Sequence, residues 1–186
     1  EARFYSGVSN VSNKMKLMNT SQYLSVRREA FENDGMEPTE FNAPDLTVWD
    51  QNRFTDWQDV LMGETATINN LNLSLSGGNE NTTFLLGGSY QVRGDVFPGD
   101  FGYKKMTSNF NLRHTSRDEK FNLNFSANYV IDDNQLFFGT NFVQMALTLP
   151  PNAPKLYNED GSLNWADGSW SNPLAGLYRP QDIETN

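Results

Sequence analysis

Between Phe121 and Tyr129 the chain alternates without a break. Phe121, Leu123, Phe125, Ala127 and Tyr129 share one side, and Asn122, Asn124, Ser126 and Asn128 the other. A period of two sends successive side chains to opposite faces of a strand. This stretch is therefore a strand with one apolar and one polar face. Asparagine is normally depleted in strands, so its regular use here is a choice that any reading of the fold has to explain.

Three more runs share the pattern. Leu71, Leu73 and Leu75 alternate with Asn70, Asn72 and Ser74; Phe84, Leu86, Tyr90 and Val92 with Leu85, Gly87, Ser89 and Gln91; and Met106, Phe110 and Leu112 with Thr107, Asn109 and Asn111. A weaker run begins near Phe4. Strands are predicted at about 3–11, 67–76, 83–93, 104–115 and 120–131. The polar turns at Gly77–Asn81 and Ser116–Glu119 are too short for anything but antiparallel pairing. The fold class is mainly β, an antiparallel meander of about five strands.

The connections alternate in length. Short turns fall near 77–82 and 116–120. Long connections fall at 12–65, at 93–104 and after 131. Transmembrane barrels show this asymmetry between their two ends. The long loop 12–65 carries helices at about 20–34 and 56–62. Asn19 or Thr20 caps the first, with Gln22 placed for a capping box and Gly35 at the end. Thr55-Asp56-Trp57-Gln58 opens the second.

Composition narrows the function classes. Cysteine is absent, which removes disulfides and thiolate metal sites. A net charge of -9 argues against nucleic acid, whose phosphates need clustered Lys and Arg; plain solubility explains the acidity most simply. Mean hydropathy is -0.62, and no run approaches the roughly 20 apolar residues of a membrane helix. A β-barrel stays open, because only alternate residues of its strands meet lipid. Both ends read as cut from a longer protein, so residues 1–186 are taken as a single partial domain. Alternation alone also fits any half-buried antiparallel sheet.

Motifs outside the strands add a resemblance. Lys16–Leu24 with Arg27-Arg28-Glu29-Ala30-Phe31, Ala43-Pro44-Asp45-Leu46 with Val48-Trp49-Asp50, and Thr55–Gln58 come first. Val96–Phe101, Leu147–Pro154, Asp160–Trp165 and Asn172–Ala175 follow. In this order the set resembles the SusC/RagA type of TonB-linked outer-membrane transporter, over residues 8–178. The resemblance implies the first part of a 22-stranded barrel, just after the plug. The parent would be a TonB-dependent receptor of the bacterial outer membrane importing glycans or other oligomeric nutrients. It implies a SusD-like surface lipoprotein as lid, outer-membrane lipid around the barrel, and the TonB system acting through parts beyond these residues. The imported substrate is not readable. The alternative is a soluble carbohydrate-binding or adhesive β domain of the cell surface.

No catalytic constellation, metal set or cofactor motif is present, and the chain reads as a non-enzyme. His114 is the single histidine and reads as structural. Asp132-Asp133-Asn134 and Asn158-Glu159-Asp160-Gly161 are oxygen-rich but depart from the calcium-loop spacing, and turn formation explains both. Arg93-Gly94-Asp95 reads as a loop turn. Gly87-Gly88 reads as close packing against a plug or neighbouring strand. Phe97, Phe101, Trp165 and Trp170 fall in long loops. Their rings are the candidate contacts for a sugar or for the lid protein, with loop packing as the competing role.

Overall fold

The computed structural model describes residues 1–136 and 142–178. Five strands form one sheet in the order of the sequence: β1 (Ala2–Ser9), β2 (Ala66–Gly78), β3 (Thr82–Gly94), β4 (Gly102–Thr115) and β5 (Asn122–Asn134). Every neighbouring pair is antiparallel, as the short turns require. The helices are α1 (Thr20–Asn33), α2 (Pro44–Thr47), α3 (Trp57–Met62) and α4 (Phe142–Thr148), followed by 3-10 turns at Ala166–Gly168 and Pro173–Tyr178.

The largest departure from the predicted strands is β5, which starts later and runs further. Phe121 is held in the turn: its N–H donates to Ser116 Oγ (3.0 Å) and its carbonyl accepts from the Ser116 N–H (2.9 Å). At the other end Asp132, Asp133 and Asn134 pair with Lys105, Lys104 and Tyr103. The backbone ladder thus carries the strand past the end of its apolar alternation, with acids opposite lysines in the register.

The turn between β2 and β3 is tighter than its sequence suggests. Gly78 has φ +151, and a Cβ there would lie 2.1 Å from the Thr82 carbonyl oxygen. Only glycine fits. Asn79 completes the turn by accepting from the N–H groups of Asn81 and Thr82 (3.0 and 2.9 Å).

α1 begins at the capping box the sequence announces. Gln22 N–H donates to Asn19 Oδ1 (3.0 Å), and Asn19 N–H donates to Gln22 Oε1 (3.1 Å). It ends with Gly35 at φ +63 and a Met36 N–H bond to the Phe31 carbonyl (3.0 Å), a closure that satisfies the last carbonyls. Asp56 caps α3 through bonds from the Gln58 and Asp59 N–H groups.

The chain divides into two compact units, where the sequence reading has one partial domain. One is the sheet, residues 1–10, 65–96 and 100–136. The other gathers residues 11–64, 97–99 and 142–178. A meander alternates its ends, so the 79–81 and 116–121 turns share one end. The connections 10–65 and 95–101, and the chain beyond β5, all leave from the other, and they supply the second unit. That unit has an ordinary core, with Leu24, Phe31, Trp57, Leu61, Phe142 and Leu174 buried. The sheet has none: among its described residues only Ala66 is buried.

Candidate functional site

The register assigns each side chain of the sheet to a face. On the polar face Tyr5, Asn70, Gln91, Lys105 and Asp132 form one cross-strand row. Ser74, Gly87, Asn109 and Asn128 form another. The amides bond sideways. Ser126 Oγ donates to Asn111 Oδ1 (2.9 Å), Thr115 Oγ1 to Asn122 Oδ1 (2.8 Å) and Arg113 Nε to Asn124 Oδ1 (3.1 Å). Ser89 and Thr107 share a 2.6 Å hydroxyl bond, and Asn72 Nδ2 donates to Asn70 Oδ1 at 2.5 Å. This answers the puzzle of asparagine in strands, since an amide both donates and accepts and so links to a polar neighbour. Gly87 leaves the space that Asn109 uses: a Cβ would sit 2.4 Å from Asn109 Oδ1.

The other face is apolar across all five strands. Phe4, Leu71, Tyr90, Met106 and Ile131 lie in one cross-strand row, and each is exposed, from 36% at Leu71 to 64% at Phe4. Leu73, Leu75, Leu86, Phe125 and Tyr129 extend the exposed surface. A contiguous patch of this extent is foreign to a soluble monomer and marks a surface for lipid or protein. Toward the turn end the face closes on His114, whose Nδ1 lies 2.7 Å from Thr82 Oγ1 and whose ring neighbours Phe121. That is a structural role, as its sequence position suggests.

In the second unit the motifs that carry the family resemblance form the internal framework. Asp45 is buried and accepts Arg27 Nε (2.8 Å), Arg27 Nη2 (3.3 Å) and the Tyr23 hydroxyl (2.9 Å). The bond to Asp45 holds the Arg27 guanidinium above its usual range. Burial, and then the same carboxylate, raise the Tyr23 phenol. The Asp45 carbonyl accepts from Asn152 Nδ2 (2.8 Å) and Gln51 Nε2 (2.9 Å). Trp57 donates to the Pro150 carbonyl (2.8 Å) and Trp49 to Ser169 Oγ (2.9 Å). An apolar cleft of about 340 Å³ lies among Met15, Leu17, Met18, Phe54 and Trp57.

The four candidate contact rings are divided between the two units. Trp170 is buried, its ring 5.9 Å from Trp57 and 6.4 Å from Trp49, and it donates to the Asn164 carbonyl. Its ring faces protein. Phe97 packs on Phe142 at 5.7 Å. Trp165 is 46% exposed in the same unit, whereas Phe101 belongs to the sheet unit and lines a cleft there with Arg93 and Tyr103. Asp160 accepts from the Ser162 hydroxyl and N–H (2.6 and 2.9 Å), which lower its pKa; this is turn chemistry. Among the described residues, no group of three or more His, Asp or Glu side chains is placed to hold a metal ion. The sequence reading puts Arg113 on the polar side of its run but takes Arg93 for part of a loop turn and gives Lys105 no role; Arg93 instead pairs with Tyr103 in the ladder, and all three cations fall on the polar face. Their spacing by even numbers was the available signal.

No family model matches the chain, and a search of curated proteins finds no match either.

Proposed function

We propose that the sheet is a stretch of wall from a bacterial outer-membrane β-barrel, in a TonB-dependent receptor resembling the SusC/RagA type. The parent imports glycans or other oligomeric nutrients. The observation that carries the reading is the apolar face itself: five strands wide, with exposed apolar side chains on every strand, and opposite a face of hydrogen-bonded amides and hydroxyls. Water disfavours such a face, and lipid accepts it.

Strand length supports the same reading. β2 to β5 have 13 or 14 residues, about twice the usual strand. At about 3.4 Å per residue they reach roughly 44 Å, or roughly 30 Å when tilted by about 45°, the depth of the hydrocarbon layer. The short turns then lie on the periplasmic side and the long connections on the extracellular side. A SusD-like lipoprotein acts as lid there, and TonB couples through other parts of the parent. We assign the wall no catalytic step.

The test is fractionation of cells producing the full-length protein. Recovery in outer membranes, resistant to alkaline extraction and with heat-dependent migration on gels, is the expected result. Recovery in the soluble secreted fraction sinks the proposal and points to a carbohydrate-binding or adhesive surface domain.

A further inference from the structure

Charge is segregated in this molecule. The whole chain carries 14 basic and 23 acidic residues, yet the polar face of the sheet reverses the balance. The register places Arg3, Arg93, Lys105 and Arg113 there, against Asp132 as the acid within the strands. Arg3 is paired with Glu1 at 2.9 Å. Asp132 stands opposite Lys105 in the register, and Asp100 lines the cleft beside Arg93. Among the described residues, Arg93, Lys105 and Arg113 have no carboxylate within ion-pair distance. Arg93 and Lys105 are diagonal neighbours across β3 and β4, about 7–8 Å apart at this spacing, and Tyr103 faces Arg93 directly. Arg113 lies 8 residues further along β4, roughly 27 Å away at 3.4 Å per residue.

We infer that this face favours an anionic oligosaccharide, one bearing carboxylate or sulfate groups. The inference rests on the barrel reading, in which the polar face lines the lumen. Cationic side chains lining a passage raise the local concentration of anions and lower the barrier to their entry. The neutral groups between the cations suit a sugar chain. Asn70, Gln91, Asn109 and Asn128 offer paired donors and acceptors to hydroxyls, and Tyr103 offers an apolar ring beside Arg93. An acidic peptide would use the same cations, and its backbone also pairs with amides, so an acidic peptide is the competing outcome of the test.

The test measures binding to the purified full-length receptor in detergent, after its outer-membrane location is established. Three probes of matched length are used: oligogalacturonate, sulfated chondroitin oligosaccharide and neutral maltooligosaccharide. Oligoglutamate is the peptide control. The expected result is preference for one or both anionic sugars, weakening with salt. Arg93→Gln with Lys105→Gln reduces that binding roughly tenfold. Lys120→Gln removes the same charge in the 116–121 turn, at the other end of the sheet, and leaves binding unchanged. Preference for the neutral sugar or for oligoglutamate, or equal loss in the Lys120 variant, overturns the inference while the barrel reading stands. Absence of the protein from the outer membrane overturns the barrel reading itself.

Discussion

Leu71 stands further out of β2 than Asn70, its neighbour: the leucine is exposed and the asparagine half-buried. Water selects the opposite order. The same inversion recurs at Leu73 and Asn72 and at Tyr90 and Gln91, so it spans β2 and β3 and is not confined to one residue. Lipid on the leucine side removes the contradiction, because the apolar side chains then meet a solvent like themselves.

A charge on the two faces has unequal effects. Leu73→Arg in the full-length protein, folded into lipid vesicles, loses about 2–4 kcal/mol if the site lies near the bilayer midplane. Asn72→Arg, one residue away on the polar face, changes stability by less than about 1 kcal/mol. Urea unfolding of the reconstituted protein reads both. Equal tolerance of the two variants contradicts a lipid-facing leucine row.

Arg27 and Asp45 set the stability of the second unit. Asp45 is buried and its guanidinium partner is about one-third exposed. Removing the partner of a buried charge costs about 3–5 kcal/mol, and the solvent access of Arg27 reduces this to roughly 2–3 kcal/mol. Arg27→Met lowers the unfolding midpoint accordingly. Arg27→Lys recovers part of it, since lysine keeps the charge and loses the two-pronged bond. All 4 tryptophans lie in this unit, so tryptophan fluorescence follows its unfolding selectively.

The sheet was legible because a period of two is a local signal. Each run of alternating residues states its own faces, and the short turns state the pairing. α1 was legible through two local signals, Asn19 with Gln22 at its start and Gly35 at its end. The second unit was not legible in that way. Its bonds join residues far apart in sequence, as in Trp57 to Pro150 and Trp49 to Ser169, and no local pattern encodes such partners. α2 has 4 residues, too few to show a helical period. Trp170 looked like a loop ring available to a ligand, and burial against Trp49 and Trp57 is visible only once those segments meet. Asp45 stood out only within Ala43-Pro44-Asp45-Leu46, and nothing local to that motif marks it as the anchor for Tyr23 and Arg27.

Alkaline pH probes the same cluster. The Tyr23 phenol is held above its ordinary value of 10.0, so the folded unit keeps a proton that the unfolded chain has lost at high pH. A group of this kind contributes fully below its unfolded pKa, and the contribution drains away as pH rises beyond it. The midpoint of the tryptophan-detected transition therefore falls above about pH 10. Tyr23→Phe loses about 1 kcal/mol at neutral pH, from the missing bond to Asp45, but its midpoint declines less steeply above pH 10. Parallel curves for the two proteins exclude Tyr23 as the source.

The β2–β3 turn gives the sharpest backbone test. At Gly78 the positive φ and the 2.1 Å approach to the Thr82 carbonyl oxygen leave no room for a methyl group. Gly78→Ala costs about 1–3 kcal/mol, the range for a residue forced into a strained conformation. Gly88→Ala is the control within the adjoining strand: its new methyl meets the Thr107 carbonyl oxygen at 3.4 Å, an ordinary contact, and the residue lies on the apolar face. That variant changes stability by less than about 1 kcal/mol. The comparison is read by folding yield into vesicles and by urea midpoint. A turn that tolerates alanine at 78 as well as the strand tolerates it at 88 contradicts the glycine-specific closure between β2 and β3.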